Sequence, residues 1–158
     1  MKKESTTYTG SDAPHAVAEF VCNAVNGWTE DPTRMQPYFT ENGGWEFPFA
    51  PEDFGLFFKE VKGREAMTKY FSSLTPYMGQ LDVGPSKSWG AHKTDVLGQY
   101  IFTYTGTAVI KETGKGYFQN YISVVTLQQG KIASYREYWD PYVALLDFGL
   151  VAPVSNQE

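Results

Sequence analysis

Two carboxylates set among aromatic rings are the parts of this sequence best equipped for chemistry. Glu137 lies in Tyr135-Arg136-Glu137-Tyr138-Trp139, and Glu46 in Gly44-Trp45-Glu46-Phe47-Pro48-Phe49. Burial disfavours the charged form of a carboxyl and raises its pKa, which suits proton transfer near neutral pH. The plainer alternative for Glu137 is a strand-end residue, solvated or paired with a Lys or Arg. For Glu46 a solvent-facing side chain is the default. Tyr100, Tyr104 and Tyr135 add hydroxyls, with Tyr104 the candidate to hydrogen-bond a developing oxyanion. Other reactive types offer less. His15 falls off the apolar stripe of its helix, and His92 lies near an exposed turn. Cys22 reads as a small buried thiol, because no His or Asn can be paired with it. Two scattered His residues form no ligand-spaced cluster, so neither metal nor other cofactor is expected. The loop 111–116 contains Gly-Lys-Gly without the strand-to-helix context of a phosphate loop.

The element that must position Glu137 runs from Tyr117 to Pro141 and reads as two β-strands joined at Gln129-Gly130. Centring the turn there pairs Leu127 with Ile132, Val124 with Tyr135, and Ile122 with Glu137. One face then carries Asn120, Ile122, Val124, Tyr135, Glu137 and Trp139. Both faces are largely apolar, so one is expected under the chain's own helices and the other under a second subunit. Upstream, Pro14 begins a helix bearing Val17, Phe20, Val21, Ala24, Val25 and Trp28 at helical spacing. Asp31-Pro32 opens a short helix, 44–49 reads as a strand, and 63–74 as a second long helix with Met67, Tyr70, Phe71 and Leu74 on one side. The connection 50–62 carries Phe54, Phe57 and Phe58, either a satellite core or a lid over a pocket. Residues 80–92 are a weaker strand. Residues 96–110 are a clear strand whose Tyr100, Phe102, Tyr104, Gly106 and Ala108 face tapers from rings to small residues, as a cavity wall does. Asp140-Pro141 starts a last helix.

At 158 residues the chain is expected to form one domain over 13–149, with flexible tails at 1–12 and 150–158. A net charge of −5, without charge blocks, argues against nucleic acid or an anionic membrane as partner. One Cys points to a reducing compartment, and the start MKKESTTYTGSD lacks an apolar run, so a cytoplasmic location is expected. Aromatic residues at 16% call for a large core, an aromatic-lined cavity, or both.

The order helix, short helix, strand, helix, then antiparallel strands ending in a Gly-Lys-Ile hairpin resembles the nuclear transport factor 2-like fold, and within it the SnoaL-like and ketosteroid-isomerase-like proteins. Phe39-Thr40-Glu41-Asn42-Gly43, Gly63-Arg64-Glu65-Ala66 and Gly130-Lys131-Ile132 through Asp140 carry the likeness. The resemblance implies an α+β cone: a curved antiparallel sheet around N-terminal helices, with a deep apolar pocket and often a homodimer through the outer sheet face. It also implies an acid/base carboxylate on the last strand, at Glu137. The last hairpin is similar to limonene epoxide hydrolase and the phenazine-biosynthesis A/B proteins. Epoxide hydrolysis needs an Arg and an Asp where this chain has Tyr104 and Gly106. The ketosteroid isomerase base precedes a Pro, where this chain has Phe47.

The expectation is a cofactor-free cyclase, isomerase or dehydratase of secondary metabolism, of polyketide type, acting on an apolar molecule. Glu137, Tyr104 and Glu46 are its catalytic candidates. Trp28, Phe47, Phe57, Tyr70, Tyr100, Phe102, Asn120, Ile122, Tyr135 and Trp139 are its substrate-binding ones. The alternatives are a non-catalytic binding or assembly module on the same fold, or an epoxide-hydrolase-like enzyme with an altered site.

Overall fold

The structure is a computed structural model that describes residues 5–155. At its centre, strands β6 (Gly116–Gln128) and β7 (Lys131–Tyr138) form the expected hairpin. Gln129 and Gly130 turn it with φ of 51° and 74°, the left-handed pair a two-residue turn requires. Leu127 pairs with Ile132, but Thr126 pairs with Ser134, leaving Ala133 unopposed. That bulge moves every later pair by one: Val125 meets Tyr135, Ser123 meets Glu137, and Ile122 meets Tyr138. Asn120, Ile122 and Val124 therefore do not share the face of Glu137. Asn120 is exposed and Ile122 is 50% exposed, on the outer side of the sheet. The inner face of β6 is Tyr117, Gln119, Tyr121, Ser123 and Val125.

The remaining strands are β1 (Phe39–Glu46), β2 (Glu60–Lys62), β3 (Met78–Asp82), β4 (Gly90–Lys93) and β5 (Gln99–Ile110). They complete a seven-stranded curved sheet in the order β2-β1-β7-β6-β5-β3, with β4 also on β5. The sheet is mixed rather than wholly antiparallel, because β1 runs parallel to β7. Most of the chain separates those two strands, so no hairpin dictates their relative direction. The strand expected over 44–49 starts earlier and ends sooner: Phe39-Thr40-Glu41-Asn42-Gly43 is the first part of β1, which stops at Glu46. A Cβ on Gly44 would stand 2.2 Å from the Val61 carbonyl oxygen, so β2 can approach β1 only over glycine.

Helices α1 (Pro14–Val25) and α2 (Arg64–Leu74) press Val17, Val21 and Ala24, and Met67, Phe71 and Leu74, into the core. Each ring or branched side chain buried this way contributes about 1.5–3 kcal/mol. Asp140 caps α3 (Pro141–Asp147) by accepting the Tyr142 and Val143 N–H groups. The described part of the expected N-terminal tail lies on the body: the Tyr8 N–H donates to the Gly130 carbonyl at 2.8 Å, and the Tyr8 ring packs on Phe20. No helix among the described residues is long and apolar enough to cross a membrane.

Candidate active site

The sheet wraps one cavity that leaves about 70 Å³ open to water. Its walls come from every layer. Trp28 follows α1, Tyr70 and Phe71 come from α2, Trp45 from β1, Tyr104 from β5, and Tyr117 and Tyr121 from β6. Phe47 and Phe57 of the 47–59 connection, with Trp139 and Phe148 at the ends of α3, complete the aromatic lining. The Phe57 ring meets Trp139 and Phe148 edge-on at 5.4 Å in both cases, so Phe57 is part of the wall, whereas Phe54 and Phe58 do not line the cavity and are 40% and 47% exposed.

Glu137 is the one carboxylate among the lining residues. Its position follows from the strand period: with Tyr135 fully buried on the inner face, Glu137 must also point inward and Arg136 outward. Burial among rings pushes the Glu137 carboxyl up to about 7, and the hydrogen bond from Tyr104 opposes that rise. The same burial pushes the phenols of Tyr70, Tyr104, Tyr117 and Tyr121 up, so they stay neutral donors.

Tyr104 anchors the carboxyl. Its hydroxyl lies 2.9 Å from Glu137 Oε2, 2.6 Å from the Tyr135 hydroxyl and 2.8 Å from Ser123 Oγ. A phenol has one proton and two lone pairs, so three protein partners saturate it. Against an ionised Glu137, Tyr104 donates to the carboxylate and accepts from Tyr135 and Ser123. This corrects its expected role: Tyr104 has nothing left for a substrate oxygen and instead holds Glu137 in place. Among the described residues Oε2 receives this one hydrogen bond and Oε1 receives none. Trp89 lies flat against Tyr104 at 3.9 Å and Trp45 against Tyr135 at 3.9 Å, fixing both rings.

Of the sequence candidates, Glu137, Tyr104, Trp28, Phe47, Phe57, Tyr70 and Trp139 line the cavity. Tyr135 is fully buried behind it as a support for Tyr104. Glu46 is placed outside: its Oε2 accepts from Arg136 Nε at 2.9 Å, with its side chain 38% exposed. Parallel pairing of Glu46 with Arg136 puts both on the outer face, so Glu46 is not part of this site. Tyr100 and Phe102 do face inward, but at the end of β5 covered by α1 and the N-terminal segment. There the Tyr100 hydroxyl reaches the Asp12 carbonyl at 3.2 Å and Phe102 packs on Trp89. Asn120 and Ile122 are excluded by the bulge. Sequence reasoning missed Trp45, Tyr117 and Tyr121. The polar Gln119 between two Tyr at strand period marks the inner face of β6, and only the shifted register reveals it. Among the described residues no cluster of His, Cys, Asp and Glu could hold a metal ion.

The chain is 30% identical over 125 residues to YesE of Bacillus subtilis (strain 168), a match covering 79% of this chain and 76% of that protein. Among solved structures it is similar to a putative isomerase from Bacillus subtilis, at 27% identity and TM-score 0.64 over 76% of this chain and 82% of the other. A phenazine biosynthesis-related protein from Pseudomonas aeruginosa shares the fold at TM-score 0.68 and 15% identity, over 91% and 90% of the two chains. These neighbours place the architecture in the nuclear transport factor 2-like, ketosteroid-isomerase-like fold. Residues 17–135, a range ending two residues before Glu137, match the model of the SnoaL-like domain, and the chain belongs to that family.

Proposed function

We propose that this protein is an acid/base enzyme of isomerase, cyclase or dehydratase type, acting on a small apolar molecule of secondary metabolism. The observation that carries the reading is Glu137: a lone carboxyl in an aromatic cavity, raised to about 7 and tied down through one oxygen only. A group half-ionised near neutral pH can take a proton and return it. In the simplest cycle Oε1 removes a proton from a carbon beside an unsaturated system, and the electron pair moves into that system. The protonated Oε1 then delivers the proton to a second carbon, so the double bond migrates with no net redox change. The stacked walls add catalysis by holding one conformer of the substrate against Oε1.

The test has two stages. Metabolites are first screened for those that raise the melting temperature, since a ligand of the folded state stabilises it by mass action. Turnover of the hits is then compared in wild type and Glu137→Gln. Retained binding with lost turnover is expected. Turnover that survives the substitution removes the reading, and ligand binding without any turnover in wild type leaves a binding protein.

A further inference from the structure

Strand β3 changes face partway along. Met78 lines the cavity, and strict alternation would then send Gln80 and Asp82 inward as well. Instead Leu81 and Val83 line the cavity, while Gln80 and Asp82 are exposed. The pairing with β5 records the switch: Met78 meets Ile110 and Gly79 meets Val109, but Asp82 meets Thr107. Two residues of β3 thus stand where β5 supplies one, and Gln80 takes a φ of 56°, unusual for a residue with a side chain.

This bulge sits on the last strand of the sheet, whose outer edge has no neighbouring strand among the described residues. Three side chains at and beyond the end of α1 take the place of one. Glu30 Oε1 accepts the Gln80 N–H at 2.7 Å, Thr29 Oγ1 accepts the Leu81 N–H at 3.1 Å, and Asn26 Oδ1 accepts the Val83 N–H at 3.1 Å. Thr29 in turn donates to Glu30 Oε2 at 2.6 Å, so one carboxylate holds the left-handed residue and orients the hydroxyl beside it. Thr29 is buried and Glu30 exposed, and neither lines the cavity. Val25 and Trp28, from the same stretch of chain, do line it, together with Leu81 and Val83.

Resting on the reading of the cavity as a substrate site, we propose that Thr29 and Glu30 are positioning residues for its wall. They act through Gln80: by holding its positive φ they turn Leu81 and Val83 inward. Without them β3 would pair with β5 in straight register and present the Gln80 amide and the Asp82 carboxylate to the cavity. A second carboxylate in that space would disfavour both an ionised Glu137 and a hydrocarbon ligand. The facing strand is matched to the bulged form. A Cβ on Gly106 would stand 3.1 Å from Val83 Cγ1, so Val83 packs closely on β5 over glycine. The wall between α1 and β3 is thus built for a bare apolar part of the substrate, and two residues outside the cavity keep it so.

The test reads the wall by calorimetric titration with toluene, a ring without polar atoms, and reads the bulge by the NMR contact between the Val83 methyls and the Gly106 α-protons. Thr29→Val with Glu30→Ala removes both acceptors; toluene affinity is expected to fall about tenfold and the contact to disappear. Glu30→Gln keeps an oxygen for Gln80 and an amide for Thr29, so it should bind within about twofold of wild type. Adding Gln80→Gly to the double variant should restore both readouts, because glycine takes a positive φ unaided. A general loss of stability would not be repaired by that exposed substitution. Gln80→Val alone, β-branched at a left-handed position, should weaken toluene as the double variant does. Wild-type affinity in the double variant, or a loss that Gln80→Gly fails to repair, overturns the proposal. Should the double variant not fold, equal toluene affinity in Gln80→Val and Gln80→Gly overturns it instead. If wild type binds no toluene, yet the contact is lost in the double variant and regained with Gln80→Gly, the reading of the cavity as an apolar-substrate site fails and the positioning role stands.

Discussion

Glu46 and Glu137 are two copies of one side chain on neighbouring strands, and the sheet sends them to opposite fates. Glu46 reaches outward, meets Arg136 at 2.9 Å, and keeps more than a third of its side chain in water. Glu137, one residue from that same Arg136, turns inward among rings and, among the described residues, finds only the Tyr104 hydroxyl. Strand alternation separates the cation from the carboxylate next to it in sequence. An inward Arg would have neutralised Glu137 and held it ionised; aromatic walls with one neutral donor leave its pKa raised to about 7. The face a carboxylate occupies decides whether it meets a cation in water or a phenol among rings.

That contrast can be broken most severely at Glu137 itself. Glu137→Gln is expected to lower turnover about 10²- to 10⁴-fold, measured on the ligand found by thermal shift, whereas Glu46→Gln is expected to leave it within about twofold. Stability against pH gives the next largest separation. The folded pKa of Glu137 is raised from 4.5 to about 7, so its favourable state is present below about pH 4.5 and is lost as pH climbs through 7. Wild type should therefore lose roughly 2–3 kcal/mol between pH 5 and pH 8 relative to Glu137→Gln, as read by urea unfolding at both pH values. A gap of the opposite sign would mean that Glu137 is held ionised by a cation. Tyr104→Phe comes next. It strands the Tyr135 and Ser123 hydroxyls and frees Oε2, costing about 1–2 kcal/mol in unfolding and raising the Glu137 limb of the pH–rate profile. Smallest is Glu46→Gln, whose exposed ion pair contributes at most about 1 kcal/mol, less in high salt.

Much of this was legible from residue order, and the failures share one cause. The Gln129-Gly130 turn, the helix starts at Pro14 and Asp140-Pro141, and the inward Glu137 all follow from local rules: positive φ at a turn, a Pro in the first turn, alternation along one strand. What needed a partner across the sheet was lost at Ala133. A bulge is one unpaired residue with no side-chain signature here, yet it exchanged Asn120 and Ile122 for Tyr117, Gln119 and Tyr121 on the inner face. Alternation could not expose the error, since both faces of β6 are apolar enough to be buried. Glu46 was ambiguous for a similar reason. Its partner Arg136 is 90 residues away on a parallel strand, a pairing no local pattern announces.

The small free volume of the cavity has a consequence in time. Phe57 rests on Trp139 and Phe148, and Phe148 on Tyr117 at 5.7 Å, around a cavity with about 70 Å³ open to water. Ligand sites usually offer roughly 300 Å³ or more. A ring system needs more room than this cavity offers, so lining side chains must give way for it to be held. Association should then proceed in two steps, its observed rate levelling off as ligand is added, because the ceiling is the opening rate of the rings. Release of a bound molecule would then be as slow as the movement of those side chains.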